Sequence, residues 1–312
     1  MLKEICITPQ IFNESQLINE SLRWKDVKSL LEAIALGGYI VGLNNSDWKK
    51  VVRVQINQMT HHKIKDLLNS LISMLDSRKL IVGHPKSNIS PKSEKEWVEI
   101  AQNLDALYPF YSIIATQSHN DKITSLDDLE FMNISETFGN TGSRHTIQSE
   151  EELEKVFVSL LSYAKKVTII DPYFDIDTPR YQTTLKLIAK CFKNRRGIQE
   201  GGTIYINCSY DKLNANERWQ KVINDIYREY KHIIIIQMWE KQQDGIKMHD
   251  RYIVTDQIGM VSAAGMDKND YQQSEWGIKH YNTLDEIKSQ YNENSSPFKL
   301  KAIVTATKIE EK

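Results

Sequence analysis

The sequence predicts an α/β protein in two parts: a C-terminal mixed sheet flanked by helices, preceded by a smaller α/β N-terminal domain. Three observations carry this. Segments with apolar residues at helical spacing alternate with short β-branched runs along all 312 residues. The run Ile233-Ile234-Ile235-Ile236 is apolar without alternation, which means burial on both faces, as in a central strand covered by helices. Residues Gly139 to Ser143, reading Gly-Asn-Thr-Gly-Ser, break both periodicities and read as a linker, giving domains over 1–140 and 145–312.

In the first domain Leu17 to Ala35 reads as a helix and Tyr39 to Leu43 as a strand. Lys63 to Leu75 is a helix, Lys79 to Val82 a strand, Glu94 to Leu107 a helix and Tyr111 to Ala115 a strand. In the second, Leu153, Val156, Phe157, Leu160 and Leu161 recur at helical spacing in a run from Glu150 closed by Lys165-Lys166. The strand Val167 to Ile170 follows and ends in Asp171-Pro172-Tyr173-Phe174, where proline stops the ladder and opens a loop. Then come a helix from Tyr181 to Arg195, a strand Thr203 to Cys208, a helix Asn216 to Tyr230 and a strand His232 to Met238. After a motif strand, Met260 to Ala263 is a short strand, Leu284 to Tyr291 a helix and Ala302 to Ala306 a closing strand.

Charge excludes a generally basic polyanion binder. The chain holds 40 Lys+Arg and 41 Asp+Glu; residues 1–140 carry 15 against 17 and the remainder 25 against 24. Any polyanion contact must come from a local patch. Tyr181 to Gln199 is free of acids, and Lys186, Lys190 and Lys193 share one helical face there, with Arg180, Arg195 and Arg196 nearby. That stripe reads either as a solvated surface or as one that tracks a phosphate backbone. Cys6, Cys191 and Cys208 lack metal-ligand spacing and suit a reducing compartment, so neither a metal nor a cofactor is implied. No run approaches membrane-spanning length, and the expected location is cytoplasmic.

The segment Met248-His249-Asp250-Arg251-Tyr252-Ile253-Val254-Thr255-Asp256 is the most informative. If it is one strand, alternation puts His249 and Arg251 on one face and turns Asp256 away, as a strand anchor. Imidazole can attack phosphorus, and a guanidinium can hold two phosphate oxygens at once. The alternative reading is a histidine that ends a buried strand and pairs with a carboxylate.

His249, Arg251 and Asp256, followed by Gly265-Met266-Asp267-Lys268-Asn269, resemble the phospholipase D superfamily, whose motif is His-x-Lys-x-x-x-x-Asp and then Gly-Ser-x-x-Asn. The His-Asp-Arg variant is most similar to the phospholipase-D-like C-terminal domain of microtubule-interacting and trafficking proteins. Arg251 stands in place of lysine, Met266 in place of serine, and eight residues rather than six separate Asp256 from Gly265. The resemblance covers only the C-terminal half. It implies a metal-independent phosphodiesterase of the phospholipase D type, a nuclease, with His249 as nucleophile and acid/base, and Arg251 as phosphate clamp. Glu275 would orient the imidazole, Asn269 would add a donor, Asp171 and Tyr173 would wall the cleft, and Gly265 would shape the second half of the motif.

His84-Pro85-Lys86 and His61-His62-Lys63 lack the aspartate a second motif requires, and both read as surface histidines. With one motif per chain, an enzyme of this type needs its second histidine from a two-fold mate, so a homodimer is expected. Nucleic acid is the expected ligand, with anionic lipid as the other polyanion. Some prokaryotic relatives of this architecture are nuclease effectors against phage, a role the resemblance extends to this chain. The competing reading is a non-catalytic module that holds phosphate groups of a phosphoinositide, a nucleic acid or a partner. A third is a scaffold that keeps the motif without using it. Trp219, Tyr227 and Tyr230 read as core or boundary residues, and Trp276 as either a cleft wall or packing. Residues 1–140 leave ligand recognition, a partner protein and regulation of the cleft equally open.

Overall fold

β-Branched runs build the strands, and the helices lie where apolar residues return every three or four positions. The computed structural model describes all residues except 1, 19–21, 44–46, 85–90, 119–120, 140–142, 195–200, 211–216, 242–247, 280 and 312. Its contacts divide the chain into two units, Met1–Thr141 and Gly142–Lys312.

The first unit is a five-stranded parallel sheet with helices between its strands. In chain order it contains β1 (Lys3–Ile7), α1 (Glu14–Ile18), α2 (Arg23–Gly37), β2 (Gly38–Gly42), α3 (Asp47–Gln58), α4 (His62–Ser77) and β3 (Ile81–Gly83). Next come α5 (Glu94–Asp105), β4 (Ser112–Ala115), β5 (Ile123–Ser125), α6 (Leu126–Glu130) and α7 (Ile134–Phe138). The spatial order β3-β2-β1-β4-β5 reverses direction at the β1/β4 boundary. In open parallel sheets the crevice beyond the strand ends at such a reversal is where ligands usually sit. Here it is filled from within. Glu94, the first residue of α5, accepts from Thr8 Oγ1 at 2.6 Å, from the Thr116 N–H at 2.8 Å and from Thr116 Oγ1. His84, expected at the surface, is fully buried with its ring against Tyr108 and Phe110.

The second unit is a nine-stranded mixed sheet flanked by helices. Its elements are β6 (Arg144–Gln148), α8 (Glu150–Leu161), β7 (Lys166–Ile170), α9 (Pro179–Lys193), β8 (Thr203–Ser209), α10 (Glu217–Tyr230) and β9 (Ile233–Lys241). They continue with β10 (Tyr252–Thr255), β11 (Gly259–Ser262), β12 (Asn269–Lys279), α11 (Tyr281–Ser289), β13 (Phe298–Val304) and β14 (Ile309–Glu311). The order is β14-β13-β9-β8-β7-β10-β11-β12-β6, with β7, β8 and β9 parallel at the centre and every other pair antiparallel. Helices α8, α9 and α10 pack side by side over one face, burying Ile204, Ile206 and Cys208 of β8 and Ile234, Ile236 and Met238 of β9. On the other face α11 sets Leu284 and Ile287 against Ile170, Tyr252 and Val254. Among the described residues no helix is long and apolar enough to cross a membrane.

Candidate functional site

The motif segment is not one continuous strand. β10 begins only at Tyr252, so the alternation rule that would put His249 beside Arg251 does not reach the histidine. Residues 248–251 are irregular, and the His249 side chain is 79% exposed, with Nδ1 3.5 Å from Asp250 Oδ1. Asp250 in turn accepts from the Tyr252 hydroxyl at 2.7 Å.

Arg251 is placed differently. Ile253 pairs with Ile169 of β7, and both face α8 and α9; Arg251 and Asp171 continue that parity beyond the paired region. The two meet, with Arg251 Nε 3.8 Å from Asp171 Oδ1. Arg251 Nη1 donates to the Ala263 carbonyl at 3.4 Å, and the guanidinium lies 5.0 Å from the centre of the Tyr173 ring. Its side chain keeps 20% of its exposure, whereas Asp171 keeps none.

Asp171 is fixed from several sides. Its Oδ1 accepts from the Tyr173 N–H at 2.9 Å, closing the turn that Pro172 starts, and Oδ2 accepts from the Tyr181 hydroxyl of α9 at 3.3 Å. Burial pushes its carboxyl up to about 6; the Tyr173 N–H, Arg251 and Tyr181 oppose that, and nearby Asp267 adds to it. Burial also raises the Tyr181 phenol, which stays a donor.

The second half of the motif reaches the same place through a tight loop. Gly265 has φ +103°, a left-handed conformation, and a Cβ there would stand 3.1 Å from Asp267 Oδ1 and 3.7 Å from Arg251 Nε. Its carbonyl accepts from Gln148 Nε2 of β6 at 2.7 Å and from Ser262 Oγ. Ser274 Oγ lies 2.9 Å from Ser262 Oγ and accepts from the Ala264 N–H at 3.2 Å. Asp267 pairs with Arg180 Nη1 at 3.0 Å, and the Lys268 N–H donates to Thr184 Oγ1 of α9 at 2.9 Å. The result is a charged cluster at the carboxyl end of β7, with the partly exposed Arg251 and Arg180 paired to the buried carboxylates Asp171 and Asp267.

Several expected site residues lie elsewhere. Glu275 is exposed, and its neighbours Ser274 and Trp276 are buried toward α8, so alternation sends Glu275 to the face opposite Arg251 and Asp171. It stands across from His145 of β6 and does not orient His249. Trp276 is packed edge-on against Phe157 and walls no cleft. Asn269 uses its amide locally, donating to Gln272 Oε1 at 3.1 Å and accepting from the Tyr271 N–H at 3.1 Å. On α9, Lys186, Lys190 and Lys193 are exposed while Tyr181 and Thr184 are buried toward the cleft, so the stripe points away from it. Lys190 is tied to Glu154 at 2.7 Å, and Lys193 donates to the Glu229 carbonyl at 2.9 Å. Arg195 and Arg196 lie outside the described residues. Asp256 accepts from the Lys165 and Lys166 N–H groups at 2.8 and 3.4 Å, binding the β10 end to the start of β7.

Tyr181 and Thr184 had no role assigned from the sequence, Arg180 was grouped with the basic stripe, and Asp267 was named only as part of the second motif half. Their contacts run between α9 and the β11–β12 loop, and no spacing rule links those segments. Tyr271 is fully exposed one residue from Gln272, whose amide donates to the Ala264 carbonyl, so it stands by the rim. Among the described residues no group of three or more His, Cys, Asp or Glu side chains could hold a metal ion.

No protein-family model matches the sequence, and no curated protein does. Among solved structures the chain is similar to TrmBL2, an archaeal chromatin protein described as showing a novel mode of DNA binding. The identity is 14% over 94% of this chain and 98% of that chain, with a TM-score of 0.29. A superposition that loose carries no conclusion about fold or ligand.

Proposed function

We propose that the C-terminal unit is a phospholipase-D-type domain that recognises the phosphodiester backbone of nucleic acid and cleaves it. The supporting observation is that two halves of a motif separated in sequence, Arg251 and the Ala263–Asp267 loop, meet beside Asp171 at the end of a central parallel strand. Arg251 and Arg180 supply fork-shaped donors for non-bridging oxygens, and Tyr173 offers a face to stack.

In the reaction a His249 nitrogen forms a bond to phosphorus as the bond to the leaving oxygen breaks. That oxygen takes a proton from a second histidine, supplied by a homodimeric mate. The same histidine then takes a proton from the water that displaces His249. A defence role against phage would use this activity without further machinery in the cleft.

A second reading rests on the placement of Glu275. Among the described residues the one carboxylate recorded beside His249 is that of exposed Asp250; on this reading the imidazole tautomer is not fixed, and the site would bind phosphate groups without turnover. Labelled oligonucleotides and the full chain in chelator separate the two. The enzyme reading expects cleavage that stops in His249→Ala and binding that drops in Arg251→Ala. Binding without cleavage selects the second reading, and unchanged binding by Arg251→Ala overturns both.

A further inference from the structure

We infer that the sheet face opposite the Arg251 cleft carries a separate site for a nucleoside monophosphate. Central strands of helix-covered sheets are normally apolar on both faces. Here β7, β8 and β9 present Thr168, Tyr205, Asn207 and Gln237 to the α11 side, and these line a cavity of about 380 Å³. That volume lies within the rough 300–1,000 Å³ range of small-molecule sites.

The residues in it match a nucleotide part by part. Asn207 and Gln237 are register neighbours, so their carboxamides stand side by side. Asn207 is 1% exposed, and its Oδ1 accepts from Trp239 Nε1 at 2.8 Å. That bond fixes the amide orientation and leaves Nδ2 as a donor, for which no acceptor is present among the described residues. A buried amide donor beside a second carboxamide is the chemistry that reads the donor–acceptor edge of a nucleobase. A purely apolar ligand would leave Nδ2 unsatisfied.

Tyr205 and Tyr291 give the cavity aromatic walls, and Lys166 and Lys288 stand among its lining with charge for a phosphate, against one carboxylate there, Glu293. The Lys166 ammonium sits 4.2 Å from the Tyr205 ring centre, which places that charge at the aromatic wall. Arg251 and the cleft lie on the other face, so this site depends on none of the residues of the proposed phosphodiester reaction.

Calorimetric titration of the full chain with AMP, GMP, CMP and UMP tests this, with inorganic phosphate as the partial probe. At least one nucleotide should bind saturably and raise the thermal midpoint of the wild-type chain, while inorganic phosphate binds far more weakly. Gln237→Leu and Asn207→Asp, the second keeping the acceptor for Trp239, should each weaken binding about tenfold. Arg251→Ala should leave it unchanged. Absence of saturable binding by all four nucleotides to the wild-type chain overturns the site, a result independent of how any variant folds. So does binding that both cavity variants retain in full, or binding that Arg251→Ala abolishes.

Discussion

Both units end their parallel strands in a polar crevice, and they fill it in opposite ways. In the N-terminal unit one carboxylate, Glu94, joins Thr8 and Thr116 across the point where strand order reverses, and its hydrogen bonds are used up inside the fold. In the C-terminal unit two buried carboxylates, Asp171 and Asp267, are answered by Arg251 and Arg180, whose side chains retain 20% and 55% of their exposure. The end of a central parallel strand therefore carries a strut in one unit and a partly exposed charged cluster in the other. Topology marks where a site can be; whether polar groups are spent inward or turned to solvent marks whether one is there.

The largest effect that would sharpen this contrast lies at Asp171. Folded, it holds its proton to about pH 6, whereas in the unfolded chain it ionises near the ordinary value of about 4. The folded state thus binds more protons in that window, so this contribution favours folding at low pH. It falls as pH rises through the window and is level above it, by roughly 3 kcal/mol in all. Urea unfolding between pH 4 and 7 should show that decline, and Asp171→Asn should flatten it. An unchanged slope in the variant would mean the cleft is not the source.

Next in size is the strut. Glu94→Ala leaves the Thr116 N–H and two hydroxyls without their acceptor, a cost of about 2 kcal/mol. Unfolding of the N-terminal unit should shift to lower denaturant while oligonucleotide affinity stays at the wild-type value. A fall in affinity would show that the crevice of the N-terminal unit also takes part in binding. Smallest is the α9 stripe: because Lys190 is engaged by Glu154 and the stripe faces away from the cleft, Lys190→Ala should change affinity by less than about twofold. A large, salt-dependent loss in a fluorescence anisotropy titration would return the stripe to the binding surface.

The run Ile233-Ile234-Ile235-Ile236 was legible as a strand, but not as one buried on both faces: Ile234 and Ile236 are buried under the helices while Ile233 is 54% exposed and Ile235 only half-buried, because the opposite face of β9 is incompletely covered. Three of the elements that escaped depart from the usual patterns, whereas β1 (Lys3–Ile7) is an ordinary short strand that was passed over. β6 buries Thr146 and Gln148 and exposes Ile147, so its polar side is the inner one. β12 reads as polar because its outer face is open and only Trp276 and Ile278 are apolar in its second half. In α3 the buried residues Trp48, Val52 and Ile56 keep helical spacing, but exposed Val54 turns Val52-Arg53-Val54-Gln55-Ile56 into a strand-like alternation.

Within the site, Asp171 and Tyr173 were found only through the resemblance, which sets the corresponding strand end at the cleft; Pro172 by itself marks no more than a strand-to-loop exit. Glu275 could not be placed from spacing. The irregular pairing between Asn269 and Gln273 shifts the β12 register, and a shift of one residue exchanges the faces. His249 was misplaced for a related reason, since the regular strand starts three residues later than the motif suggests.

The central claim is that the guanidinium of Arg251, held beside Asp171 and under Tyr173, receives phosphate oxygens. Its most direct test is the affinity of the full chain and of Arg251→Glu for a labelled single-stranded oligonucleotide across a salt series. Charge reversal should weaken binding by about a hundredfold at low salt and reduce the slope of log affinity against log salt by about one phosphate contact. Equal affinity and equal slope for the two proteins would contradict the account.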